Sequence, residues 1–187
     1  QTRRLAADLN LKTADKPESQ DICFVPDGDY GRFLSERKER SGAQLPALES
    51  GDIRTTSGEI VGRHEGTARY TIGQRKGLGI AIGRPQFVTR IDAGSKTIWV
   101  GESEDLLSST LVARESNWIL GDPPDSGTRI MAKIRYRAAA SPCSIEVLED
   151  GFRLSFDEPQ RAITPGQSVT LYDGELVLGG GVIESAG

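Results

Sequence analysis

From Gly51 onward the chain is interrupted at short intervals by turn signals: Ser57-Gly58, Ala93-Gly94-Ser95, Asp150-Gly151 and Asp173-Gly174. Between them lie short runs of alternating or β-branched character, too brief for ordinary helices and suited to hairpins. The spacing predicts strands at Ile53 to Thr55, Glu59 to Val61, Phe87 to Asp92 and Thr97 to Gly101. A second series is predicted at Ser144 to Leu148, Phe152 to Phe156, Ser168 to Tyr172 and Glu175 to Leu178. Many short strands with closely spaced turns make a small β-barrel the expected outcome. The boundary between the two β regions is expected near Gly101 to Ser109. Gly179-Gly180-Gly181 reads as a close backbone crossing that lets the last strand close the barrel.

One further stretch, Arg129 to Arg137, alternates Ile130, Ala132, Ile134 and Tyr136 with Met131, Lys133, Arg135 and Arg137. As a continuous strand it would place three bases on one sheet face. Ahead of the β regions, Leu5 and Leu9 stand at helical spacing. Asp29 can cap a helix from Tyr30 to about Arg40, with Tyr30, Phe33 and Leu34 on its apolar side.

At 187 residues, 36% hydrophobic and 27% charged, the chain can bury a real core in one domain or two small ones. No stretch approaches the roughly 18 apolar residues of a membrane span, and the N-terminus lacks the order of a secretory signal. A cytoplasmic protein without membrane association is expected. Two cysteines, Cys23 and Cys143, and one histidine, His64, supply neither a disulfide framework nor a zinc site, so no metal is expected. The chain opens at Gln1 and its only methionine is Met131, which suggests a piece of a longer protein.

The net charge of −4 is unevenly spread. Residues 63–90 carry six Lys or Arg against one acid, and residues 129–137 carry four bases and no acid. Basic patches on an acidic body suit a polyanion docking on one face. Cys23 stands between Ile22 and Phe24 after the polar run Lys16-Pro17-Glu18-Ser19-Gln20-Asp21. It reads either as a small buried apolar residue or as a thiol at the edge of a loop, able to attack or carry sulfur as thiolate. Arg75 and Lys76, among Gly73, Gly77 and Gly79, satisfy neither the dinucleotide nor the P-loop spacing. They read as tight turns whose bases reach the phosphates of a bound polyanion or a neighbouring domain.

Five strings occur in order along nearly the whole chain: SQDICF (Ser19 to Phe24), GRHEGTARYTIGQRKGLGI (Gly62 to Ile80), KIRYR (Lys133 to Arg137), PGQ (Pro165 to Gln167) and LGGGVI (Leu178 to Ile183). In this the sequence resembles the tRNA-specific 2-thiouridylase family (MnmA/TrmU). The resemblance implies ATP-dependent replacement of the C2 oxygen of the wobble uridine of tRNA by sulfur. It also implies a mainly β chain: a short helical remnant of the catalytic domain (residues 1–34, with the Cys23 loop), a small central β-rich domain (35–102) and a C-terminal tRNA-binding β-barrel (103–187).

By the same resemblance Cys23 carries the persulfide, and Arg135, Tyr136 and Gln167 contact tRNA. A second cysteine, which releases product by forming a disulfide, and the glycine-rich loop that binds ATP with Mg belong to an N-terminal adenylating domain. That domain is not in this chain, so no cofactor site is expected here and the isolated chain is expected to be inactive. The implied partners are tRNA and a sulfur-donor protein of a cysteine desulfurase relay. Nothing in the pattern gives Cys143 a role, and it reads as structural. Two other readings stand beside this one: a stand-alone RNA-binding barrel with a structural Cys23, and a barrel that binds a protein partner.

Overall fold

The computed structural model describes residues 2–11, 25, 30–41 and 45–187, which fall into two units, residues 1–45 and 46–187. Cys23 and the candidate cap Asp29 lie outside the described residues. The first unit carries helices α1 (Thr2–Asp8) and α2 (Tyr30–Ser41). On α2, Phe33 and Leu34 are half-buried while Glu36, Arg37, Glu39 and Arg40 are exposed, the amphipathic division read from the sequence. No helix among the described residues is long and apolar enough to cross a membrane.

The second unit begins with a four-stranded sheet of β1 (Gly51–Thr55), β2 (Ile60–His64), β3 (Phe87–Asp92) and β4 (Thr97–Gly101), in the order β2-β1-β4-β3. Two antiparallel hairpins are joined by the parallel pairing of β1 with β4. The turns explain the hairpins. Gly58 takes φ +92°, a left-handed conformation suited to glycine. In the other hairpin the Asp92 carboxylate accepts from the Gly94 N–H (2.9 Å), the Ser95 N–H (3.2 Å) and the Ser95 hydroxyl (2.8 Å). These bonds, the Ser95 hydroxyl's first, hold the Asp92 carboxyl below the usual range. Ile53, Val88, Ile98 and Val100 are fully buried and form the sheet's core with Leu78.

A 3₁₀ turn at Glu104–Leu106 leads into a closed barrel. Its strands are β5 (Leu107–Trp118), β6 (Arg129–Lys133), β7 (Ser141–Leu148), β8 (Gly151–Arg161), β9 (Ser168–Asp173) and β10 (Leu176–Ala186). The order round the barrel is β10-β5-β8-β7-β6-β9, so no strand is left as an edge. The mainly β architecture, a small sheet followed by a barrel, is the one expected. Closure runs through β10, which pairs with both β5 and β9. There a Cβ on Gly180 would meet the Val169 carbonyl oxygen at 2.3 Å, and one on Gly181 the Arg114 carbonyl oxygen at 2.7 Å. The triple glycine is therefore the close crossing foreseen, and β10 continues through it rather than stopping at Leu178.

The expected strand from Arg129 to Arg137 is corrected. Ile130, Ala132 and Ile134 are buried as alternation requires, but β6 ends at Lys133. Ala132 already pairs with Ser141, so residues 134–140 form the return of a hairpin, with the Ala138 N–H donating to the Arg135 carbonyl at 3.2 Å. Only Lys133 of the three bases is on a strand. Arg135 and Arg137 lie on the return, and Tyr136 is 89% exposed rather than part of the barrel core.

Cys143 is fully buried on β7, its thiol 3.7 Å from the Ile130 carbonyl oxygen. Burial pushes this thiol up to about 11. In the native chain Cys143 should therefore resist alkylation by iodoacetamide at neutral pH and react only after unfolding, as peptide mass mapping will show; rapid labelling of the native protein would contradict it. The ordinary thiol value is about 8.5, so the unfolded chain releases this proton first and the contribution to stability is lost as pH climbs from there through about 11.

Candidate nucleic-acid interface

His64, at the end of β2, is buried. Its Nδ1 accepts the Gly66 N–H at 3.0 Å, leaving Nε2 to donate to the Lys96 carbonyl at 3.0 Å. The ring meets Tyr70 edge-on, with centroids 5.8 Å apart. Burial, and after it the Glu65 charge, pushes the Tyr70 phenol upward, so the hydroxyl stays protonated at neutral pH. The following turn is fastened by Gln74, whose Oε1 accepts the Thr71 N–H (3.1 Å) and whose Nε2 donates to the Lys76 carbonyl (3.0 Å). Two backbone bonds clip the turn to β3: Gly73 N–H to the Val88 carbonyl (2.8 Å) and Val88 N–H to the Gln74 carbonyl (2.9 Å). Arg75 and Lys76 are thus exposed on a braced loop.

On the barrel side, the segment between β8 and β9 is equally constrained. Ala162 is buried and left-handed at φ +52°, its N–H donating to the Leu106 carbonyl at 2.7 Å. Ile163 packs into the barrel core. Gln167 donates its N–H to the Thr164 carbonyl (3.2 Å), and its own carbonyl accepts the Ile183 N–H (2.8 Å). The backbone at Gln167 is fixed while the residue itself is exposed.

Arg135 reaches back to this segment. Its Nη2 donates to the Arg161 carbonyl and lies 3.5 Å from the Ala162 carbonyl oxygen. Arg161 in turn donates to the Ser103 carbonyl (3.2 Å) and hydroxyl (2.6 Å), its guanidinium 4.8 Å from the Phe87 ring centroid. Lys133, the last residue of β6, holds its Nζ 5.9 Å from the centroid of the Tyr136 ring on the following turn.

The two sides enclose a groove of about 710 Å³. Tyr70, Thr71 and Arg90 line it from the small sheet, and Thr164, Gln167 and Glu184 from the barrel. The Arg90 guanidinium lies 3.8 Å from the Trp99 ring centroid, an orientation fixed by cation–π contact. Three separated sequence strings thereby meet. The loop after β2 passes close to Ala162, since a Cβ built on Gly73 would lie 3.2 Å from the Ala162 Cβ; Arg135 holds the carbonyls at 161 and 162; Gln167 ends the same segment.

An exposed aromatic among cations stacks unpaired bases, guanidinium and ammonium groups take phosphates, and a turn amide reads polar edges. Arg161 and Arg90 escape sequence reasoning because their value lies in distant pairings, as between Arg161 and Ser103, 58 residues apart. No local spacing signals that. The glycines at 73, 77 and 79 lead into irregular chain and β3 rather than into a helix, so this loop is not built like the strand–loop–helix of a P-loop or dinucleotide motif.

Family models match three consecutive stretches. They are a tRNA methyl transferase HUP domain over residues 1–27, a tRNA methyl transferase PRC-barrel domain over residues 43–102 and an aminomethyltransferase β-barrel domain over residues 108–183. The tRNA-specific 2-thiouridylase MnmA of Acetivibrio thermocellus is 46% identical over 185 residues, 98% of this chain and 50% of that protein. The protein of the same name from Symbiobacterium thermophilum is 49% identical over 187 residues, 100% of this chain and 46% of its own length. That of Clostridioides difficile is 44% identical over 185 residues, 98% of this chain and 50% of its own. The chain spans about half the length of these relatives. With identity at this level along almost all of its residues, the chain belongs to the tRNA-specific 2-thiouridylase family.

Proposed function

We propose that this chain provides the sulfur carrier and the RNA-docking surface of a tRNA 2-thiouridylase. Cys23 holds a persulfide delivered by a sulfur-donor protein of a cysteine desulfurase relay, and Tyr136, Arg135 and Gln167 engage the tRNA. The terminal persulfide sulfur attacks C2 of the wobble uridine. Activation of the C2 oxygen by ATP, and the second cysteine that forms a disulfide with Cys23 and so releases the product, fall to the part of the family's protein that this chain does not span. The isolated chain is accordingly a binding and carrier module without turnover, working in the cytoplasm.

The observation that carries the reading is Tyr136, 89% exposed on a turn that also bears Arg135 and Arg137 and follows Lys133. A large aromatic left in water gains nothing for the fold and is suited to a base. Arg135 secures that turn to the segment ending at Gln167, so the stacking ring and the amide belong to one braced surface.

Exposure of the chain to a cysteine desulfurase with free cysteine should add one sulfur atom to the Cys23 peptide, absent in Cys23→Ser. tRNA retention by the same chain should weaken with salt, log K falling against log salt by about 0.7 per neutralised single-strand phosphate. Sulfur-free Cys23 with intact tRNA retention would favour a plain RNA-binding barrel. Salt-insensitive retention would exclude phosphate docking.

A further inference from the structure

A second, smaller cavity of about 250 Å³ shares no lining residue with the groove. Arg75, Arg84 and Gln86 line it together with the backbone from Gly77 to Ile80. Leu78 is buried in the small-sheet core, and the glycines on either side of it adopt φ +74° and +67°. Leu78, and less deeply Ile80, pin the loop to that core while Gly77 and Gly79 stay at the surface. Among the described residues, none of the N–H groups from Gly77 to Ile80 is donated to a protein acceptor. A Cβ on Gly79 would meet nothing within 4 Å, so the space over that backbone is open.

The charges point the same way. Arg84, which lines this cavity, shares an ion pair with Glu102. Arg75 and Lys76 have no carboxylate partner among the described residues. Gln86 is 7% exposed and, among the described residues, its Nε2 has only the neighbouring Pro85 carbonyl, at 3.3 Å, as a partner, leaving an N–H for an acceptor in the cavity. Guanidinium groups, a buried amide and unpaired backbone N–H groups around a small polar space form an anion site. At about 30 Å³ per water, the volume equals roughly eight waters, room for one phosphate with part of its hydration.

We infer that the Arg75–Gly79 loop with Arg84 and Gln86 binds one phosphodiester of the RNA backbone, a contact separate from the Tyr136 surface. The inference rests on the tRNA reading above. The RNA backbone is the occupant because the loop is continuous with that surface. Thr71 lines the groove opposite Gln167, and the Gln74 side chain ties Thr71 to Lys76. A phosphate held here gives position without sequence preference.

Two measurements on the chain of residues 1–187 test it. Titration with inorganic phosphate against chloride at matched ionic strength should move the amide resonances of Gly77 and Gly79 and leave those of Gly127 and Gly174 in place. In tRNA binding, Arg75→Gln should reduce the log–log salt slope by about 0.7 to 0.9 for every tRNA sequence tried, and Arg75→Lys should restore it. Unmoved Gly77 and Gly79 amides, or an unchanged slope in Arg75→Gln while tRNA is still retained, would overturn this site and leave the tRNA reading standing. Failure of the wild-type chain to retain tRNA would remove both.

Discussion

Truncation of Phe152 to alanine should destabilise the barrel by about 3–5 kcal/mol, the largest loss expected of any single core change here. Phe152 is fully buried, tilted against Trp118 with ring centroids 5.6 Å apart, and close to β10, its Cε1 lying 3.2 Å from where a Cβ on Gly181 would stand. It therefore fills space under three strands of the closed sheet, and removing its ring leaves a void with aromatic, glycine and aliphatic walls. Collapse is restricted because the neighbouring backbones are locked by the pairings of β5 with β8 and β10. Adding a methyl at Gly181 will not refill the gap, since the same Cβ would press on the Arg114 carbonyl oxygen at 2.7 Å. Urea unfolding read by tryptophan fluorescence measures the effect. A loss below about 0.5 kcal/mol, the range of a surface change, would mean that Phe152 is not central to the barrel.

What could be read from the sequence divides along a physical line. Hairpins with glycine or aspartate at the turn were legible, because left-handed backbone and carboxylate-to-amide bonds are local chemistry; Asp92 with Ser95 and Gly58 are examples. The hairpin between β6 and β7 was not. Its return, Ile134-Arg135-Tyr136-Arg137-Ala138-Ala139-Ala140, has no glycine, proline or asparagine, and its alternation imitates a continuing strand. Only the pairing of Ala132 with Ser141 shows where the chain must reverse. Pro142 also masked the start of β7. It is tolerated because it pairs on the β6 side alone, β8 joining only from Cys143.

The site follows the same division. Arg135, Tyr136 and Gln167 were named from motifs, but their common attachment to the Arg161–Gln167 segment is a product of barrel closure. The groove needs Tyr70 and Arg90 from one sheet and Thr164 from the other side, residues brought together by topology and not by spacing. Cys23 lies outside the described residues, so its role rests on the family pattern.

Removal of the Tyr136 ring is the decisive change for RNA. Tyr136→Ala should weaken tRNA retention by about 1–3 kcal/mol, roughly 5- to 150-fold, the range measured for loss of a base-stacking aromatic. Stability should hardly move, because a ring 89% exposed has little packing to lose, and surface changes of this kind fall within about 0.5 kcal/mol. The salt slope should also be unchanged, since stacking releases no counterions. That separates Tyr136→Ala from Arg75→Gln, which alters the slope. Tyr136→Phe keeps the ring and its approach to Lys133, and should keep most of the affinity. Filter retention of labelled tRNA at two salt concentrations, with thermal unfolding of each variant alongside, distinguishes these outcomes. Equal affinity in Tyr136→Ala and wild type would show that the ring is exposed for some purpose other than RNA, and the docking surface would have to be sought away from the turn after β6.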